Sequence, residues 1–420
     1  MGYFPKKTIY LVLVMILAVA MQGTVASAFF TTESTLKSSG LINYSQSPSL
    51  ARPLHVEGNK IKNDLGEVIH LRGWQKHYQV DEACPIWGNS WNIYKQSAVD
   101  LVLNKMSSYG SNVLREFISA NTWIKNLNVQ TEQGTMSYRA ALNDLLTRAE
   151  QHGIYVIIST WCIYPLNCPI HGNGGCVAQD RAPWDPYTTS GHQGVIPNSS
   201  AFVDYIVSIA DALGSHNNLI IEPTNEVFYG YTGATYANLW QTVYQSCING
   251  VRANENSHGF VHHLILCQLN ANIAIGNLND PCWNFNWYWT NPLSDSDGNL
   301  IYGQHIYRTY GALGDSKPYT YGDLKAIYQL VRMDDISAEV PVFISEIGAD
   351  LTNDADNREY LFLQNSLQIL NEWNISYQPF VWCGDGTPFD MLMSGTEYTT
   401  GGTVNKYGQI LVDAIKQGAG

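Results

Sequence analysis

Short runs rich in β-branched and aromatic residues recur along the chain at 68–75 (VIHLRGWQ), 111–119 (SNVLREFIS), 155–162 (YVIISTWC) and 219–227 (LIIEPTNEV). Four more follow at 262–269 (HHLILCQL), 300–307 (LIYGQHIY), 341–348 (PVFISEIG) and 377–386 (YQPFVWCGDG). Several are almost continuously apolar, as parallel strands covered on both faces must be. Between most of them apolar residues return at helical spacing, over 95–109, 137–152, 199–214, 234–253, 321–335, 355–373 and 404–417. Gly110 and Gly153 end the first two of these and suit C-caps.

Eight such strands, starting 36 to 64 residues apart, leave room for strand, loop and helix in each unit. The pattern predicts an α/β fold, a (β/α)8 TIM barrel with a single catalytic domain over 51–420. Its weakest part is 270–299, Asn- and Trp-rich with little helical pattern, where one helix is expected to be short or missing. An open doubly wound sheet is the alternative, but no GxGxxG follows the first strand, which weakens a dinucleotide-binding reading.

The N-terminus changes the boundaries of the domain. Lys6 and Lys7, the apolar run from Ile9 to Met21 and the small-x-small sequence Ala26-Ser27-Ala28 predict a secretory signal peptide over 1–28. The apolar run is shorter than the roughly 20 residues that span a bilayer, so a kept anchor is the lesser reading and no stable membrane association is expected after cleavage. Residues 29–50, Ser- and Thr-rich without periodicity, read as a flexible leader. With 45% hydrophobic and only 14% charged residues the remainder is a large buried globule, expected to be secreted and monomeric. Removing the two signal lysines leaves 21 basic against 36 acidic side chains, a charge of −15 that disfavours a nucleic-acid partner.

All eight cysteines, Cys84, Cys162, Cys168, Cys176, Cys247, Cys267, Cys282 and Cys383, follow the signal, compatible with up to four disulfides. Cys162, Cys168, His171 and Cys176 match no standard zinc spacing, so no metal is expected there. Asp295, Asp297, Gly298 and Asn299 echo a calcium loop without its distal Glu and read as a plain turn. Asn43, Asn198 and Asn374 begin glycosylation sequons. No GxSxG, HExxH or phosphate-loop pattern occurs, and no cofactor is implied.

In a barrel of this kind chemistry sits at the C-terminal strand ends. Glu226 closes the fourth strand and Glu346 the seventh. Strand alternation puts Glu222, Thr224 and Glu226 on one face, with Glu222 deeper. Two facing carboxyl groups are what glycosidic hydrolysis requires, one to protonate the leaving oxygen and one to attack or to activate water.

These residues resemble glycoside hydrolase family 5 of clan A, the cellulase and mannanase group. Glu222, Asn225 and Glu226 match the order of its fourth-strand motif, and Ile344-Ser345-Glu346-Ile347-Gly348 that of its seventh. The resemblance implies Glu226 as acid/base and Glu346 as nucleophile of a double displacement. It further implies that Arg115 holds the nucleophile, that Tyr307 touches it and that His305 binds sugar; independently of the family, Asn225 beside the acid can hydrogen-bond a sugar hydroxyl such as the 2-OH. RGW at 72–74 looks like the family's first-strand end, and Trp382 like its eighth-strand aromatic floor. One departure stands out: the family's third-strand His is replaced by Thr160-Trp161, with His77 or His171 the candidates to reach that space.

Ten of the twelve tryptophans sit at strand ends or in the loops after them, as a groove stacking on sugar rings would need. Trp74, Trp123 and Trp382 are the best placed, with Trp161 and His77 as further binding candidates. The competing reading is that such residues only pack loop cores. The resemblance therefore implies a retaining endo-β-1,4-glucanase acting on β-linked polysaccharide, with a β-mannanase of the same family as alternative. A catalytically inactive carbohydrate-binding barrel is the alternative of a different class.

Overall fold

The barrel strands form where the apolar runs lie. The computed structural model describes residues 50–76, 93–162, 200–225, 234–269, 285–308, 318–350, 354–384, 389–394 and 396–418. In chain order the strands are β1 (Leu54–Glu57), β2 (Lys60–Asn63), β3 (Gly73–Lys76), β4 (Ile93–Tyr94), β5 (Val113–Ser119), β6 (Asn128–Thr131) and β7 (Gly134–Ser137). They continue as β8 (Tyr155–Cys162), β9 (Leu219–Glu222), β10 (Leu264–Gln268), β11 (Leu300–Tyr307), β12 (Val342–Gly348) and β13 (Ser376–Pro379).

Eight of these, β3, β5 and β8 to β13, make one parallel sheet in sequence order. It closes on itself: Arg72 bridges Tyr377 in parallel, and the Tyr377 and Trp382 amides donate to the Leu71 and Gln75 carbonyls. The fold is a (β/α)8 barrel. Helices at Gln96–Ser108, Tyr138–Gln151, Ser200–Leu213, Ala234–His258, Arg358–Glu372 and Lys406–Gln417 fall on the predicted segments. Gly110 and Gly153 follow the first two of them with φ of 86° and 68°, the left-handed turn that only glycine enters without cost.

Three local departures have physical causes. The helix predicted over 321–335 is broken into Tyr321–Leu330 and Met333–Glu339, because Arg332 takes φ 66°; its guanidinium lies 3.6 Å over the Trp289 ring and bonds Asn286 and Asp335. Between β10 and β11 the described helix is only Asn286–Thr290, in line with the weak pattern there. Two small sheets not foreseen lie outside the barrel, the β1–β2 hairpin and β4-β6-β7. The 295–299 segment is a turn, the Gly298 amide bonding the Asp295 carbonyl and the Asn299 amide the Asp295 carboxylate.

The β1–β2 hairpin plugs the N-terminal end of the barrel. Leu54 and Ile61 join Leu71, Val113, Tyr155, Ile157, Ile220, Leu266, Ile301 and Phe343 in one buried cluster. Along the same strands, two residues further on, the inward positions turn polar: Val113 gives way to Arg115, Ile157 to Ser159, Ile220 to Glu222 and Leu266 to Gln268. Inward residues alternate along a strand, so this places a polar layer directly above an apolar floor.

Cys247 and Cys267 are buried thiols, not joined to each other or to any other cysteine. Burial pushes the Cys247 thiol up to about 12. Cys84, Cys168, Cys176 and Cys282 lie outside the described residues, as do residues 1–28, expected to be a signal peptide, and nearly all of 29–50, expected to be a leader. Among the described residues no helix is long and apolar enough to cross a membrane, and no cluster of His, Cys, Asp and Glu could hold a metal.

Candidate active site

Arg115 stands at the centre of the polar layer. It is fully buried, and all five of its N–H donors are engaged. Nε donates to Glu222 Oε2 at 2.5 Å; Nη1 donates to Gln75 Oε1 at 2.9 Å and to Glu346 Oε1 at 2.7 Å. Nη2 donates to Asn225 Oδ1 at 2.6 Å and to Ser159 Oγ at 3.2 Å. Burial alone would lower this guanidinium's pKa, but Glu222 and Glu346 outweigh it and raise it above its ordinary value. Gln378 extends the layer, its amide donating to Gln75 Oε1 and to the Ser345 carbonyl.

The second oxygen of Glu346 is held by Tyr307, whose hydroxyl donates to Oε2 at 2.7 Å. His305 Nδ1 lies 3.4 Å from the same oxygen. Burial lowers His305 to about 4, against a smaller upward pull from Glu346, so the imidazole is neutral near pH 7. The unfolded chain then takes up this proton first as pH falls below 6.5. Stability is expected to drop between pH 6.5 and about 4, by on the order of 3 kcal/mol for this group. Urea unfolding of wild type and His305→Asn across that range checks it: the variant should show a flatter profile.

One irregularity aims these side chains. An extra residue in β12, Ser345, shifts its register against both β11 and β13 and brings His305 level with Glu346 and Tyr307 level with Gly348. A Cβ on Gly348 would stand 2.3 Å from Tyr307 Cε1, so the glycine is what lets the phenol lie against its neighbour strand and reach Glu346. Gly348→Ala is expected to displace that ring and lower activity about as far as Tyr307→Phe does. Near-additive losses in the double variant would refute the shared cause.

At the fourth strand Pro223 ends the ladder after Glu222, while the Asn225 amide bonds the Thr160 carbonyl beyond it. Alternation would turn Asn225 away from Glu222, yet both side chains meet Arg115. The alternation expected past Glu222 is thus corrected at Asn225: the strand geometry stops at Pro223, and the turn that follows rotates Asn225 inward. Glu226, His77 and His171 lie outside the described residues, and of Trp161 only the backbone is described.

The tryptophan expectation is corrected as well. Trp74, Trp123 and Trp382 are fully buried in the layer between strands and helices. Trp74 neighbours the inward Gln75 in β3, so it points outward, its indole N–H donating to Ser111 Oγ at 2.8 Å. Trp382 packs edge-on against it at 4.7 Å and against Tyr109 at 6.1 Å. Trp123 donates to Ser208 Oγ, with Arg139 5.0 Å over its ring. The aromatic ring on Glu346 is Tyr307, and Phe389 and Phe380 pack edge-on against that ring with centroids 5.4 and 6.2 Å away. Phe380, Phe389, Gln75 and Gln378 were missed; only inward alternation from Gly73 and Ser376 could have pointed to the two glutamines.

A closed parallel barrel with a carboxylate fixed by Arg and Tyr at a strand end defines a glycoside hydrolase of the (β/α)8 class. The chain belongs to glycosyl hydrolase family 5, the cellulase family, whose profile matches residues 66–386. No curated protein sequence is significantly similar to it. Among solved structures it is similar to a β-glucanase from Saccharophagus degradans in complex with cellotetraose, with 15% identity and a TM-score of 0.57 over 90% of this chain and 98% of that one. A β-mannanase from Streptomyces thermolilacinus with mannohexaose shares 16% identity and a TM-score of 0.52, covering 87% and 96%. A mannanase catalytic domain from Streptomyces sp. SirexAA-E shares 14% and 0.52, covering 89% and 92%. At such identities the likeness concerns the fold.

Proposed function

We propose that this glycoside hydrolase is a secreted, monomeric, retaining endo-β-1,4-glucanase, with Glu346 as nucleophile and Glu226 as general acid/base. The observation that carries the reading is the pair of short hydrogen bonds on Glu346, one from Arg115 to Oε1 and one from Tyr307 to Oε2. Donors on both oxygens hold a carboxylate in its charged form and in one orientation, as attack on an anomeric carbon requires.

In the first step Glu226 gives its proton to the glycosidic oxygen as a Glu346 oxygen bonds to the anomeric carbon and the aglycone leaves. In the second, the Glu226 carboxylate takes a proton from water, the water oxygen bonds to the anomeric carbon, and Glu346 is released with net retention. Asn225, its Oδ1 held by Arg115, keeps its NH2 for a sugar hydroxyl. Neutral His305 can serve as hydrogen-bond partner without adding charge beside the nucleophile. Tyr307, Phe380 and Phe389 supply the apolar surface that sugar C–H faces pack on.

The choice of glucan follows the family's description, while mannanases among the structural matches keep β-mannan as the second substrate reading. Export rests on the 1–28 segment. The test is a panel of carboxymethylcellulose, lichenan, xyloglucan and mannan, with the first-formed anomer read by proton NMR and chain scission by viscosity. The β-anomer forming first, with a rapid fall in viscosity on glucans, is the expected result. An α-anomer first would overturn retention, and a preference for mannan would overturn the substrate.

A further inference from the structure

The charge of Arg115 is divided between two carboxylates. Nε bonds Glu222 on one edge of the guanidinium and Nη1 bonds Glu346 on another. Glu222 has no exposed side-chain surface, so it cannot meet substrate, and among the described residues it bonds no group but Arg115. Its Oε1 is buried without a hydrogen-bond partner there. An ion buried that deeply carries a desolvation cost, and the bond to Nε is what offsets it. That bond also fixes the plane of the guanidinium, and with it the directions in which Nη1 and Nη2 meet Glu346 and Asn225.

The electrostatic consequence is specific. A carboxylate paired with an undivided guanidinium is a weak base and a weak nucleophile, because the cation stabilises its charged form. A second anion on the same cation reduces that stabilisation without moving the hydrogen bond. Two buried carboxylates on one arginine therefore hold Glu346 in place while leaving it more reactive than a simple ion pair would.

We propose, resting on the reading of Glu346 as nucleophile, that Glu222 is a positioning residue which claims part of the Arg115 charge and thereby sets the basicity of Glu346. Removing the Glu222 charge leaves Arg115 to Glu346 alone, so Glu346 gives up its proton at lower pH. Gln at 222 keeps an oxygen to accept from Nε, so geometry is conserved while charge is removed. Replacing Gln75, which accepts from the same Nη1 as Glu346, by Glu adds an anion to Arg115 and acts in the opposite sense.

The experiment is the pH dependence of kcat/KM for the full chain, E222Q and Q75E on an aryl β-cellobioside or aryl β-mannobioside, whichever the wild type hydrolyses. The acid limb of this profile reports the free enzyme's essential carboxylate. The expected result for E222Q is a limb about one pH unit lower, with kcat reduced about tenfold and KM within about twofold. For Q75E the limb moves up. An unmoved limb in E222Q, whatever its activity, overturns the proposal, since a purely structural role would change the amount of active enzyme and not its profile. Should E222Q fail to fold, Q75E decides, and a limb unmoved or shifted downward overturns the proposal. Glu346→Gln separates the two layers: if it stays active the nucleophile reading fails, whereas an inactive Glu346→Gln with an unshifted E222Q removes only the role of Glu222.

Discussion

Glu346→Gln is expected to lower kcat on soluble β-glycan by at least about 10⁴-fold, while the protein folds and melts much as wild type does. The amide is isosteric. Its oxygen can accept from Arg115, and the Tyr307 hydroxyl, which now donates to Oε2, can rotate to accept from the new NH2. Arg115 keeps Glu222 as counter-charge, so no buried cation is left unpaired. What disappears is the anionic lone pair that would bond to the anomeric carbon. Glu226→Gln should differ in kind: a large loss on polysaccharide but a much smaller one on an aryl glycoside whose leaving group needs no proton. Rates on both substrates, beside thermal melts, check the pair. Retention of a tenth of wild-type activity in Glu346→Gln would sink the assignment.

The second large effect concerns stability. Arg115→Met is expected to cost about 3–5 kcal/mol at neutral pH, because Glu222 and Glu346 remain buried with their shared cation gone. Without it both carboxylates hold protons more tightly in the folded than in the unfolded state. A group with its folded pKa raised supports the fold below its unfolded pKa and loses that support as pH rises. The deficit of the variant relative to wild type should therefore shrink as pH falls through the carboxylate range. Taking the difference between the two proteins cancels the His305 contribution only if that imidazole titrates alike in both, so the comparison is best repeated in the His305→Asn background. Adding E222Q should recover part of the loss, since one uncompensated anion is removed. Urea unfolding at two pH values measures all of this; a deficit independent of pH and of residue 222 would mean that packing, not charge, makes Arg115 important.

Much of this architecture was legible one residue at a time. Six long helices and eight strands follow from periodicity, because a closed parallel barrel buries both faces of its strands and one face of each helix. Gly110 and Gly153 announced their turns since no other residue takes a positive φ there so cheaply. Glu346 could be located as a strand-end carboxylate because strand ends are where such barrels open.

Other features were invisible for identifiable reasons. Nothing in KAIYQLVRMDD announces a break at Arg332; the break is held by Trp289 and Asn286, which lie more than 40 residues earlier in the chain. Trp74, Trp123 and Trp382 look like a sugar platform in one dimension, but which face an indole takes depends on the parity of its strand and on the helix behind it. Asn225 points inward only because Pro223 ends the strand, and Glu346 only because β12 carries an extra residue at Ser345.

The sequence by itself thus determined the barrel, the order of its units and the strand ends that carry carboxylates, all of which depend on local period and composition. Only the tertiary structure decided that Arg115 serves Glu222 and Glu346 together, and that Tyr307, packed against Phe380, holds the nucleophile candidate while Trp382 packs against Trp74. The hydrogen bonds behind these relations join residues 39 to 231 positions apart, and no local pattern specifies which side chains a closing barrel brings within 3 Å of one another.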